Sequence, residues 1–193
     1  MAVTLIKSKL NSIALKYKSC AVVVGKTGVG KSVLISGLCG SNEHFRNTVV
    51  HGDVTFCLID SPGINTLRQT PENWNLLRNA LTGTYINTIF VIIKYDSSLE
   101  RMLEDFNEIR GLMGKFSTKF AVMVSHWDAA QEPNDDFRKI CSSFENICSN
   151  VIFYSTDSPK NDLADLMYGC ICHMSRDKLT ISDDEFSTWK EQY

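Results

Sequence analysis

Eight consecutive residues carry the strongest chemical signal: Gly25-Lys26-Thr27-Gly28-Val29-Gly30-Lys31-Ser32 fits G-x-x-x-x-G-K-[S/T]. An apolar run, Cys20 to Val24, precedes it, and a helical pattern from Val33 follows. Glycines in such a loop let backbone amides curl around phosphate oxygens while a helix N-terminus faces the anion. The spacing therefore predicts a cradle for a nucleoside di- or triphosphate built from Gly25 through Val33. Lys31 would reach the β- and γ-phosphates, and the Ser32 hydroxyl would ligate Mg²⁺. The competing reading is an ordinary Gly-rich turn.

A second motif, Asp60-Ser61-Pro62-Gly63, follows the apolar run Val54 to Ile59. That placement puts a carboxylate at the C-terminal end of a strand, where ligands of open α/β sheets gather. Asp60 is expected to hold Mg²⁺ through water and the Gly63 amide to touch the γ-phosphate, against a plain Asp-Ser-Pro-Gly turn. Between the two motifs, Thr48 is a candidate for a second Mg²⁺ hydroxyl, or simply a threonine leading into a strand. After Phe120 to Val124 comes Ser125-His126-Trp127-Asp128, where guanine-specific proteins with a phosphate loop carry Asn-Lys-x-Asp. A carboxylate can accept from both the N1 hydrogen and the 2-amino group of guanine, a donor pair adenine lacks. Asp128 thus selects GTP over ATP, and His126 would stack on the base. Trp127 is either a second apolar cover for the base or, the favoured reading, a partly buried loop aromatic. Ser155, in Tyr154-Ser155-Thr156 at the end of the last strand, would close over the base through backbone amides, and a loop with a helix-capping aspartate is the alternative for His126 to Asp128.

The elements that must position these residues follow from periodicity. Runs at Cys20 to Val24, Val54 to Ile59, Thr88 to Ile93, Phe120 to Val124 and Val151 to Tyr154 are too apolar for one solvated face, so they predict a largely parallel, covered sheet. Three helical stripes alternate with them: Leu99 to Met113, Phe137 to Cys148 and Leu163 to Ile171. Thr70-Pro71-Glu72 opens a further helix through about Leu81. The prediction is an α/β fold of three layers, a mostly parallel central sheet with helices on both faces.

With 193 residues, the chain has single-domain length. Its 44% apolar and 22% charged content excludes collagen-like and wholly disordered classes. A net charge of -2 argues against nucleic acid as a partner. No apolar run reaches the ~20 residues of a membrane span, and seven scattered cysteines suit a reducing compartment, so a cytoplasmic location is expected.

Both ends carry amphipathic signals. Val3, Ile6, Leu10, Ile13 and Tyr17 step by three and four, flanked by Lys7, Lys9, Lys16 and Lys18. Residues 1–18 are read as an amphipathic helix that packs on the body or on a sister helix, or lies on an anionic membrane surface through residues 3–18. Residues 19–174 form the nucleotide-binding unit. In the tail, residues 175–193, Ser182-Asp-Asp-Glu185 fits a capping box ahead of Phe186, Trp189 and Tyr193 on one face of a short helix that should dock on the body or on a partner.

These motifs, in this order over about residues 19–174, resemble a TRAFAC-class P-loop GTPase. The texture is most similar to the avirulence-induced-gene family, the immunity-associated GTPases of animals, related to septins and chloroplast import receptors. Beyond the phosphate loop, Phe90-Val-Ile-Ile, Ile109-Arg-Gly-Leu-Met-Gly114 and Val122-Met-Val-Ser-His-Trp-Asp128 carry the likeness. The resemblance implies a guanine-nucleotide switch with GTP and GDP as ligands and Mg²⁺ as cofactor, whose GTP form self-associates as a homodimer or oligomer, often at a membrane. The chain departs from the family in the short stretch from Lys31 to Asp60 and in Ser125-His126. It also places Ile64 where regulatory GTPases carry the glutamine that orients the attacking water. Hydrolysis should therefore be slow in a monomer, with Asn65, Arg68 and Gln69 as nearby polar candidates and Arg46 as an arginine finger toward a second molecule, each read first as an ordinary surface residue. A non-hydrolysing, septin-like scaffold is the first competitor, and an ATP-using P-loop kinase the second.

Overall fold

The computed structural model describes residues 19–40, 45–64, 69–148 and 150–192. The helix expected within residues 1–18 lies outside them. Among the described residues, strands β1 (Cys20–Gly25), β2 (Arg46–His51), β3 (Val54–Asp60), β5 (Thr88–Lys94), β6 (Phe120–Ser125) and β7 (Val151–Phe153) form one sheet. Its order is β2-β3-β1-β5-β6-β7, and only the β2–β3 pair is antiparallel. A two-stranded antiparallel ribbon joins β4 (Tyr85–Ile86) to β8 (Asp177–Lys178).

Parallel register sends every functional loop to one edge. Val23 pairs with Asp60, Gly25 with Ile92 and Lys94 with Ser125, so the chain leaves β1, β3, β5 and β6 on the same carboxyl side. The strands are β-branched and apolar because both faces are covered. Cys20, Val22 and Val24 point into one cluster, whereas Ala21 and Val23 point into the other. Against the first face pack α2 (Pro71–Thr82), α3 (Leu99–Met113), α4 (Pro133–Phe144) and α6 (Asp183–Gln192), through Leu77, Phe106, Phe144 and Trp189 among others. Against the second pack α1 (Lys31–Cys39) and α5 (Lys160–Cys172), through Ile35, Leu163 and Met167. Each such buried side chain contributes about 1.5 to 3 kcal/mol, which is why three layers form as expected.

Local signals set the helix boundaries. The Thr70 hydroxyl accepts from the Asn73 amide at 3.2 Å with Pro71 in the first turn, and α2 starts there. Ser98 caps α3 in the same way, accepting from Arg101 at 3.5 Å. At α6, the Ser182 amide donates to Glu185 Oε2 at 2.8 Å, and the Glu185 amide donates to Ser182 Oγ at 3.2 Å. That reciprocal box aims Phe186 and Trp189 at α2, where Trp189 lies 6.2 Å from Trp74. Arg78 of α2 returns the contact, donating to Ile181 O at 2.7 Å and to Asp183 at 2.8 Å. The tail docks on the body.

Three elements differ from expectation. The strand β2 is absent from the apolar runs expected to form the sheet, although one reading of Thr48 has it leading into a strand. Gly52, with φ 55, and Asp53 turn it back onto β3. The last strand stops at Phe153 rather than Tyr154. Two residues of the expected apolar stripes are exposed, Phe137 at 47% and Leu166 at 55%. Leu166 sits at the rim of the α5 stripe, whose centre is held by Leu163, Met167 and Cys170, while the Phe137 ring packs 4.9 Å from Phe153.

Candidate functional site

The phosphate loop folds as its glycines require. Gly28 and Gly30 adopt φ 87 and 93, a region that side chains with Cβ rarely enter, and Gly30 is the N-cap of α1. No acidic residue occupies the first turn of α1, so its amide end faces the cavity uncompensated. Thr27, Lys31, Ser32, Asp60 and Gly63 line one cavity of about 590 Å³, with Phe45 and Leu76 as apolar rim. The structure thus brings both sequence motifs to a single opening.

Lys31 is 7% exposed, and its Nζ donates to Gly25 O at 2.9 Å and Lys26 O at 2.8 Å. Burial lowers its pKa to about 8, opposed by the nearby Asp60 carboxylate. A buried cation held by two carbonyls beside this carboxylate is poised for a further anion that would raise its pKa again. Lys26 points away from the cavity to Asp105 at 2.7 Å and Glu108 at 2.9 Å on α3. Burial pulls its pKa down, but hydrogen bonds to the two carboxylates outweigh that and raise it. Its side chain anchors the back of the loop, so its contribution to a bound phosphate is through the backbone.

A second cavity, of about 300 Å³, shares Gly28, Gly30 and Val33 with the first. His126, Asp128, Tyr154 and Ser155 line it. His126 adopts the left-handed φ 58, the single non-glycine positive φ among the described residues. Its ring comes to 3.6 Å from a Cβ placed on Gly30. Strain of this kind persists where surroundings over-determine it, and here the flanking Ser125 does so. The Ser125 hydroxyl donates to Val29 O at 2.8 Å, and His126 Nδ1 lies 3.0 Å from Ser125 Oγ. Asp128 follows in an exposed 3₁₀ turn, Trp127–Ala129, fastened by the Trp127 amide to Tyr154 O at 3.2 Å. Trp127 is half-buried, 4.4 Å from Phe153 and 5.3 Å from Tyr95, which fits the loop-aromatic reading. The Ser155 amide is engaged by Ser158 Oγ at 2.9 Å, so a base contact from Ser155 falls to its hydroxyl.

Two candidates are not brought to the site. Thr48 lies inside β2 opposite Cys57, three residues back from Asp60, and does not line the phosphate cavity. Because β2 begins at Arg46, no free loop carries Thr48 to Ser32. Arg46 is only 9% exposed, with Nη2 3.6 Å from a Cβ placed on Gly83. This guanidinium is packed into the body and does not line the phosphate cavity. Asn65 and Arg68 lie outside the described residues, and Gln69 is half-buried. Conversely, the sequence reading assigned no role to Ser125, Phe45 or the Lys26 side chain. A hydroxyl directly after an apolar strand was the available signal for Ser125.

The set suits a hard cation beside phosphate: Ser32 and Asp60 offer oxygen donors on one cavity wall, as Mg²⁺ requires.

No protein-family model matches the chain, and no curated protein matches it in sequence. Solved structures do match. A variant of SsGBP aligns at TM-score 0.67 and 18% identity, covering 89% of this chain and 61% of that one. A variant of Era from Aquifex aeolicus bound to GDP·AlF4⁻ aligns at 0.62 and 15%, covering 86% and 60%. The FeoB G-domain from Methanococcus jannaschii aligns at 0.55 and 17%, covering 80% and 97%. The chain therefore spans about three fifths of the SsGBP and Era chains and nearly all of the FeoB G-domain. Together these likenesses show that the chain has the α/β fold of P-loop GTPases.

Proposed function

We propose that this protein is a guanine-nucleotide-binding switch that hydrolyses GTP slowly. The observation that carries the reading is the shared wall of the two cavities: the phosphate loop opens on one side to Lys31, Ser32 and Asp60, and on the other to His126 and Asp128. A nucleotide laid across Gly28 and Gly30 places its phosphates and its base in chemically matched halves. The Asp128 carboxylate accepts from guanine N1–H and the 2-amino group, and His126 covers the base. Era, on the same fold, is bound to a guanine nucleotide.

Lys31 neutralises the β- and γ-phosphates, α1 directs its amides at them, and the Gly63 amide meets the γ-phosphate. Mg²⁺, held by Ser32 and Asp60, would withdraw charge from the phosphate oxygens. Ile64 is 2% exposed, packed in the apolar cluster with Trp74 and Leu77, and supplies no hydrogen bond to water. Hydrolysis is accordingly slow. The same burial favours the second reading, a scaffold that holds GTP without turning it over. Self-association in the GTP state and membrane contact through residues 3–18 belong to the proposal as family-based expectations, the latter supported by the flanking lysines.

The test is a titration with fluorescent GTP, GDP and ATP in Mg²⁺, followed by turnover at rising protein concentration. Guanine nucleotides should bind at least tenfold more tightly than ATP. Turnover rising with concentration supports a switch completed by a second molecule. Tight binding with zero turnover supports the scaffold.

A further inference from the structure

We propose that the Thr27 hydroxyl holds the hydrolytic water at the γ-phosphate of GTP, the task for which Ile64 has no polar atom. This inference rests on the GTPase reading above and names the residue that completes it.

The loop after β3 is stitched onto the phosphate loop. The Ile64 amide donates to Gly25 O at 3.0 Å, and the Thr27 amide donates to Ile64 O at 3.3 Å, forming a parallel bridge between Lys26 and Ile64. These bonds bury the Ile64 side chain and press Gly63 against Thr27. A Cβ on Gly63 would lie 2.5 Å from Thr27 Oγ1 and 2.9 Å from Thr27 Cα. The hydroxyl is therefore adjacent to the residue whose amide meets the γ-phosphate. Thr27 itself is exposed and lines the phosphate cavity.

Among the described residues, elimination leaves the same residue. The other polar side chains on that wall are Lys31, committed to phosphate, Ser32 and Asp60, committed to the cation, and Ser61, which is buried with its hydroxyl donating to Pro62 O at 3.3 Å. Arg46 packs by Gly83 and does not line the cavity. A threonine hydroxyl can accept a hydrogen bond from water while donating its own hydrogen to a phosphate oxygen. In the step, the water oxygen bonds to the γ-phosphorus. The bond from that phosphorus to the β–γ bridging oxygen breaks, its electron pair leaving with GDP. The water's proton ends on orthophosphate, and Thr27 keeps its own.

Thr27→Val preserves shape and removes the hydroxyl, whereas Thr27→Ser keeps it. We expect Thr27→Val to lower single-turnover kcat at least tenfold while the GTP Kd stays within twofold. It should also abolish the fluorescence change on adding AlF4⁻ to the GDP complex. Thr27→Ser should recover most of both signals. Val turning over GTP within twofold of wild type would overturn the proposal. So would parallel losses of rate and GDP affinity in both variants, which indicate a structural residue. Wild type that binds neither GTP nor GDP would overturn the function reading and this inference with it.

Discussion

Ser125 Oγ donates to the carbonyl oxygen of Val29 at 2.8 Å, across 96 residues of chain. This bond ties the strand leading to Asp128 to the Gly25–Ser32 loop, bracing the two proposed halves of the site against each other. Ser125→Ala leaves the Val29 carbonyl without that donor and frees the strained His126. We predict GDP affinity weakened by about 1 kcal/mol, roughly fivefold, seen chiefly as faster dissociation in a stopped-flow chase.

Lys31 makes binding depend on pH. In the free protein burial lowers its pKa to about 8, and phosphates in the complex raise it, so binding takes up a proton once the free lysine has lost it. The affinity gain is fully present below pH 8 and is lost as pH rises through it. GDP Kd should be flat from pH 6.5 to 7.5 and climb by up to tenfold per unit above 8. Lys31→Arg, which stays charged, should flatten that limb even if its affinity is lower.

Gly63 has no room for a side chain. Alanine there would place its Cβ 2.5 Å from Thr27 Oγ1 and 2.9 Å from the Thr27 backbone. The loop after Asp60 must then lift off the phosphate loop. Gly63→Ala should cut GTP turnover at least tenfold while GDP affinity falls less than threefold, because the contact proposed for Gly63 is to the γ-phosphate that GDP lacks.

The tail is part of the fold's stability. Trp189 is buried against Trp74, and the α6 capping box fixes its approach. Trp189→Ala should cost about 3 kcal/mol. For a chain of this size that lowers Tm by roughly 6 to 12 °C, measurable by circular dichroism.

What the sequence made legible was local. Gly25 to Ser32, Asp60 to Gly63 and the Thr70 and Ser182 caps each act within a few residues, and the structure places every one where the spacing put it. The covered parallel strands were legible for a related reason, since continuous apolar runs need two faces of cover. By contrast, β2 mixes Arg46, Asn47, Thr48 and His51 with two valines, a pattern an edge strand tolerates because only one side is paired within the sheet. The positions of Thr48 and Arg46 depend on register with Cys57 and Ile59, which no local pattern encodes. The Ser125 tether and the contact between Thr27 and Gly63 are also tertiary, joining segments that no period or motif connects.

Guanine recognition by Asp128 is the central claim, and one exchange tests it most directly. Asp128→Asn replaces the double acceptor with an amide that suits the 2-oxo group of xanthine. Measured by competition against fluorescent GDP, wild type should prefer GTP to xanthosine triphosphate, and Asp128→Asn should lose more than about 2 kcal/mol for GTP while gaining affinity for xanthosine triphosphate. Unchanged GTP affinity in Asp128→Asn, or wild type binding ATP as tightly as GTP, would contradict the account.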